Sequence, residues 1–193
     1  AFDDAIAHEH GLAKRGLVAG ALRAAGAQGV AVADYDASGV FFFTPDGRLA
    51  WQDVGLPLAH GVAMDDAYVY VTTLAGSRKL LRYTLEGRRE PVDADFSHLL
   101  YPTHLAVSRD AAGGARLIVL DANRGTLSFY DGALRKTGEI GALGPHAFNR
   151  PYGFVETRAG FVLTDTKNHR LVDIDPSGAI AATCNCGHTL SSS

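Results

Sequence analysis

The stretch Phe148-Asn149-Arg150-Pro151-Tyr152-Gly153-Phe154-Val155, followed by Gly160-Phe161-Val162-Leu163-Thr164-Asp165-Thr166-Lys167-Asn168-His169-Arg170-Leu171-Val172-Asp173-Ile174-Asp175-Pro176-Ser177-Gly178, reads as strand, turn, strand, polar turn, strand and glycine turn. The same sentence is written earlier in the chain. Tyr152 and Asp165 stand 13 positions apart, and so do His60 and Thr73. A third copy runs from Pro102-Thr103-His104 through Leu117-Ile118-Val119-Leu120-Asp121 to the turn at Asp131-Gly132. A first is visible from Gly29 to Gly47, where Asp34 and Gly47 repeat the 13-residue spacing of Asp165 and Gly178. A unit that recurs in this way buries its apolar face by stacking on its copies.

Each copy carries the chemistry of β structure. Tyr68–Thr73, Leu117–Leu120 and Phe161–Thr164 are short, β-rich and apolar at consecutive positions, as in strands covered on both faces. The strand after each alternates, with Val172 and Ile174 on one face and Asp173 and Asp175 on the other. Pro45-Asp46-Gly47 and Pro176-Ser177-Gly178 are hairpin turns in which proline presets φ and glycine supplies a positive one. An antiparallel sandwich also has short strands and glycine turns, but it does not require a period of about 45 residues.

The segment resembles an NHL repeat, the blade of a family of β-propellers, and Asp165-Thr-Lys-Asn-His-Arg-Leu is its best-matching part. The resemblance implies an all-β chain of about four four-stranded blades. Four blades are few for this family, so the expectation includes a fragment, an open arc or a ring completed by another subunit. Residues 29–184 form the blades on this reading, 1–28 an Ala-rich N-terminal segment and 185–193 a C-terminal tail. Ala5–Ala27 has loosely helical apolar spacing, which predicts a short helix. Ala7-His8-Glu9-His10-Gly11 echoes Ala59-His60-Gly61, which would instead start the first strand of blade one at His10.

Composition sets limits. The chain of 193 residues is long enough for one well-buried domain, and a net charge of −3 lacks the basic face that nucleic-acid binding needs. Arg78, Lys79, Arg82, Arg88 and Arg89 cluster, but Glu86 and Glu90 sit among them, as on a solvated hairpin rim. No apolar run approaches the roughly 18 residues that span a bilayer. There is no phosphate-cradling glycine loop, no G-x-S-x-G elbow and no H-E-x-x-H.

The positive candidates lie where each blade's first strand begins. In one enzymatic branch of the NHL family, the peptidyl-hydroxyglycine amidating lyases, zinc-binding histidines occupy this position in several blades. The matching positions here are His60, Thr103 and Tyr152, with His10 as the candidate in blade one. His104 stands one residue late and, on a strand, points to the other side. A catalytic zinc takes three protein ligands, and this set supplies one or two imidazoles. Asp34-Tyr35-Asp36-Ala37-Ser38-Gly39 has alternate oxygen side chains like the start of a calcium loop, but Pro45 stands where the bidentate glutamate belongs, and an Asx-type turn accounts for it as well. Cys184, Cys186 and His188, at i, i+2 and i+4, put two thiols and an imidazole on one side of an extended chain. That trio suits zinc or another soft metal once a fourth ligand arrives; the alternative is a buried strand end followed by a tail.

The expectation carried forward is a non-catalytic propeller module that binds a protein partner, a further domain or subunit, or a small polar ligand at one face, in a periplasmic or extracellular setting. The alternative is a metal-dependent lyase or hydrolase, with zinc or calcium, built at the axial mouth.

Overall fold

The computed structural model describes residues 21–76, 79–109, 113–141 and 147–185. In these residues sixteen strands form four separate antiparallel sheets, each of four strands in chain order. Blade one holds β1 (Ala21–Gly26), β2 (Gly29–Asp34), β3 (Gly39–Phe43) and β4 (Leu49–Val54). Blade two holds β5 (Ala59–Met64), β6 (Tyr68–Thr73), β7 (Leu80–Thr84) and the short β8 (Arg89–Glu90). Blade three holds β9 (Pro102–Arg109), β10 (Ala115–Asp121), β11 (Thr126–Asp131) and β12 (Lys136–Gly141). Blade four holds β13 (Pro151–Thr157), β14 (Gly160–Asp165), β15 (Arg170–Ile174) and β16 (Ile180–Asn185). The first strands of successive blades lie beside one another, β1 by β5, β5 by β9 and β9 by β13, so the sheets radiate from a common axis. This is a β-propeller.

Successive sheets are held by apolar cores, because strands that alternate their side chains have two faces to bury. Ala31, Ala33, Val40 and Phe42 of blade one meet Val62, Val69, Val71 and Tyr83 of blade two. Tyr70 and Leu80 of blade two meet Leu105, Leu117 and Val119 of blade three. Ile118, Leu120 and Leu127 of blade three meet Phe154, Phe161, Leu163 and Ile174 of blade four. Trp51 stacks between Phe42 and Tyr83, at 5.5 and 5.4 Å, and its indole N–H donates to Leu85 O at 2.8 Å. Among the described residues no core joins blade four to blade one.

The N-terminal expectation needs correction. Ala21–Gly26 is a strand paired along its length with β2, from Ala21↔Asp34 to Gly26↔Gly29. Blade one therefore begins inside the segment assigned to an N-terminal helix, and its first strand is here rather than at His10. Alanine's helix propensity is worth only tenths of a kcal/mol per residue, and a neighbouring strand that pairs along the segment's whole length overrides it. At the other end β16 extends to Asn185, one residue past the expected boundary.

Two turn positions show how the repeat constrains its backbone. Gly29 and Gly160 open the second strands of blades one and four at φ 145° and 142°. A Cβ at either would stand 2.2 Å from Phe43 O or 1.9 Å from Ile174 O. The outer hairpins close through an amide bonding back three residues: Gly47 to Thr44 O, Gly87 to Thr84 O and Gly178 to Asp175 O. In blade three the same bond comes from Leu134 to Asp131 O, and Leu134 takes the left-handed φ of 61°. Gly132, the turn glycine by sequence, is two residues away from the position that needs it. Leu134 tolerates this backbone because its side chain is fully buried in the core between blades two and three.

Candidate ligand site at the axial mouth

The first strands enter in one register. Ala59 pairs with Thr73, Pro102 with Asp121 and Pro151 with Asp165, each followed by an irregularity. His60, Thr103 and Tyr152 are therefore equivalent in the sheets, but their side chains have different surroundings. Tyr152 is 39% exposed, His60 is half-buried, and Thr103 is fully buried with no hydrogen-bond partner for its hydroxyl. His60 Nδ1 lies 2.9 Å from Thr103 O, linking blades two and three. A carbonyl only accepts, so the imidazole donates through Nδ1, and the neutral ring keeps Nε2 as an acceptor.

His104 packs edge-on against Phe154, at 5.1 Å between ring centroids. Burial holds its pKa below the usual histidine range, and the nearby His60 lowers it further. The pKa of His60 is also lowered by burial, against an opposing effect of the Thr103 carbonyl. Both rings are thus biased toward the neutral form.

Three further residues complete the mouth, and equivalence with His60 did not point to them. Tyr35, just after β2, meets the His60 ring edge-on at 6.2 Å. Tyr101 stands just before β9, and Arg150, at φ 52°, just before β13. The Arg150 guanidinium lies 5.7 Å from the centre of the Tyr101 ring. The Tyr101 phenol is pushed up by burial and by the phenols of Tyr152 and Tyr35, against the pull of Arg150. It is a protonated donor at neutral pH. The available sequence signal was the residue before proline at the start of the last two copies, Tyr101-Pro102 and Arg150-Pro151.

The recurring polar turns fix these entry residues. The fully buried Asp121 carboxylate accepts N–H bonds from Leu100 at 2.5 Å, Tyr101 at 3.1 Å, and Asn123 and Arg124 at 3.0 Å. Asp165, also fully buried, accepts the Asn149 N–H at 2.6 Å, Asn168 Nδ2 at 2.8 Å and Arg170 Nε at 2.7 Å. In blade one Asp34 Oδ1 accepts the Ala37 N–H at 2.8 Å, the Asx-type turn that was the alternative to a calcium loop.

The other candidates lie elsewhere. Cys184 is exposed on β16, the strand of blade four farthest from its first. His10, Cys186 and His188 lie outside the described residues. Among the described residues no three His, Cys, Asp or Glu side chains gather as a metal site. Cavities of about 470, 700 and 450 Å³ lie away from the mouth, lined respectively by Arg116, Phe129 and Phe161, by Leu81, Glu90 and Phe96, and by Met64, Tyr68 and Val107. No helix among the described residues is long and apolar enough to cross a membrane.

No family model matches the chain, and no curated protein matches its sequence. Solved structures do resemble it. Virginiamycin B lyase from Staphylococcus aureus is similar over 81% of this chain, with a TM-score of 0.61 and 14% identity. Glutaminyl cyclase from Myxococcus xanthus is similar over 88%, with a TM-score of 0.60 and 14% identity. BamB from Moraxella catarrhalis is similar over 85%, with a TM-score of 0.55 and 20% identity. The chain spans 51% of the lyase, 70% of the cyclase and 47% of BamB. At these identities the likeness shows the propeller fold alone.

Proposed function

We propose that this chain is a non-catalytic, NHL-like propeller module that binds a small anionic ligand, such as a carboxylate, at the axial mouth. The observation that carries the reading is the convergence of Tyr35, His60, Tyr101 and Arg150, one from each blade, Tyr35 from the turn after the second strand and the others from the start of the first. Arg150 offers a fork of donors that matches a carboxylate or phosphate. The phenols of Tyr35, Tyr101 and Tyr152 add neutral donors, and His60 Nε2 accepts from a hydroxyl that the ligand or a phenol offers. The set holds and orients an anion but contains no activated nucleophile and no pair of acid and base.

Thermal stability measured against a panel of small carboxylates and inorganic phosphate tests this. At least one should raise the melting temperature of the native chain, and the rise should vanish in Arg150→Ala and shrink in Tyr101→Phe. A shift that survives Arg150→Ala, or the absence of any shift across the panel, overturns the reading. Stoichiometric zinc in the purified protein would favour the lyase or hydrolase alternative instead.

A further inference from the structure

Two threonines reveal what the free face of blade four is built to receive. Thr72 and Thr164 each stand one residue before the end of their blade's second strand, and each accepts an N–H bond at 2.9 Å from a glycine of the first strand, Gly61 or Gly153. The Thr72 hydroxyl then donates to Pro102 O, at 2.9 Å, on the first strand of the next blade. It joins three strands and two blades through one oxygen. The Thr164 hydroxyl turns back to Gly153 O of its own blade at 3.1 Å and is exposed.

The side chains around the two threonines correspond as well. In blades two and three this face is covered by the following blade: Tyr70, Ala63 and Leu80 in one, Ile118, Ala106 and Leu127 in the other. The equivalents in blade four are Val162, Val155 and Leu171. Leu127 is 1% exposed, whereas Leu171 is 38% and Val155 58% exposed. Cys184 pairs with Leu171 across β15 and β16, as Ile140 pairs with the equivalent Leu127. Ile140 is buried and Cys184 exposed.

We infer that this face seats a fifth propeller blade, packed as blade three packs on blade two. The incoming first strand presents a backbone carbonyl to Thr164 Oγ1, and the incoming second strand lays apolar side chains over Val155, Val162 and Leu171. Blade one of a second copy is not the occupant. Its corresponding residues, Phe41 and Phe43, are already only 3% and 1% exposed. The solved propellers of which this chain spans 51% and 47% have room for blades beyond these four. The inference does not depend on what the mouth binds.

The test uses the full chain with Cys186→Ser, so that Cys184 is the sole thiol. A second version carries residues 91–141, blade three with its leading linker, repeated after Ser193. In the extended chain maleimide labelling of Cys184 should slow by about tenfold or more as the face is covered, and the melting temperature should rise. Thr164→Val should weaken both effects, and Val162→Asp with Leu171→Asp should abolish them. Unchanged labelling in the extended chain overturns the inference. So does a dimer of the unextended chain in which Cys184 is already protected and which the two aspartates dissociate, since a second copy would then be the occupant.

Discussion

The Asp121 carboxylate accepts the backbone N–H of Tyr101, twenty residues earlier in the chain, at 3.1 Å to each oxygen. One buried side chain thereby closes the polar turn of blade three and sets the residue that faces Arg150 at the mouth. Asp121→Ala leaves the N–H groups of Leu100, Tyr101, Asn123 and Arg124 without their acceptor. The expected loss is about 2–4 kcal/mol, from four part-buried donors that lose one buried acceptor. Denaturant unfolding measures it, and ligand binding at the mouth should fall with it.

Asp165 serves blade four in a related way, and Arg170 pairs with it at 2.7 Å in a nearly buried setting. Asp165→Ala takes the buried acceptor away from the Asn149 N–H, Asn168 Nδ2 and Arg170 Nε, and should cost about 2–4 kcal/mol. A melting temperature unchanged in Asp165→Ala, with some binding activity lost, would show that the residue serves a ligand instead.

Leu134 sets two effects against each other. Leu134→Gly relieves a left-handed backbone, a gain of about 1–2 kcal/mol. It also removes a fully buried side chain, at a cost of about 2–5 kcal/mol. The cavity should win, and the variant should unfold at lower denaturant than the native chain. A more stable variant would mean that backbone strain outweighs the packing.

Phe161 fills the seam between blades three and four, against Phe129 at 5.7 Å and Phe154 at 6.3 Å. Phe161→Ala should lose about 3–5 kcal/mol. Exposed Val155, on the other face of blade four, should tolerate alanine within about 0.5 kcal/mol in the four-blade chain. The contrast between the two variants, measured by unfolding, separates the packed face from the free one.

His60 and His104 predict the pH dependence. Their folded pKa values are depressed, chiefly by burial. The unfolded chain therefore binds more protons than the folded one as the solution is acidified, and stability rises with pH across that window. The contribution is fully present above the unfolded value of about 6.5 and is lost as pH falls through the depressed folded values. Melting temperatures between about pH 5 and 8 should show this slope, and His60→Asn with His104→Asn should reduce it, leaving the share of His98, whose pKa is also lowered, chiefly by burial. The exposed Asp131 and Asp175, also depressed, titrate in the more acidic carboxylate range.

The repeat was legible from Asp34, Thr73, Asp121 and Asp165 and the turns behind them, because strand alternation and turn chemistry are local. They settle which residues pair as hairpins before any blade meets another. Ala21–Gly26 was misread as helical because its strand character comes from the edge of β2 and not from its own composition. The mouth was half-visible. His60, Thr103 and Tyr152 follow from equivalence in the repeat, but whether such a side chain is buried like Thr103 or exposed like Tyr152 depends on the neighbouring blade. Tyr35, Tyr101 and Arg150 come together only when the blades converge on one axis, a distance that sequence spacing does not encode. The sequence by itself determined the blades. Tertiary packing alone decided the company of Tyr101 at the mouth and the exposure of the face around Thr164, because both are properties of what stands beside a blade.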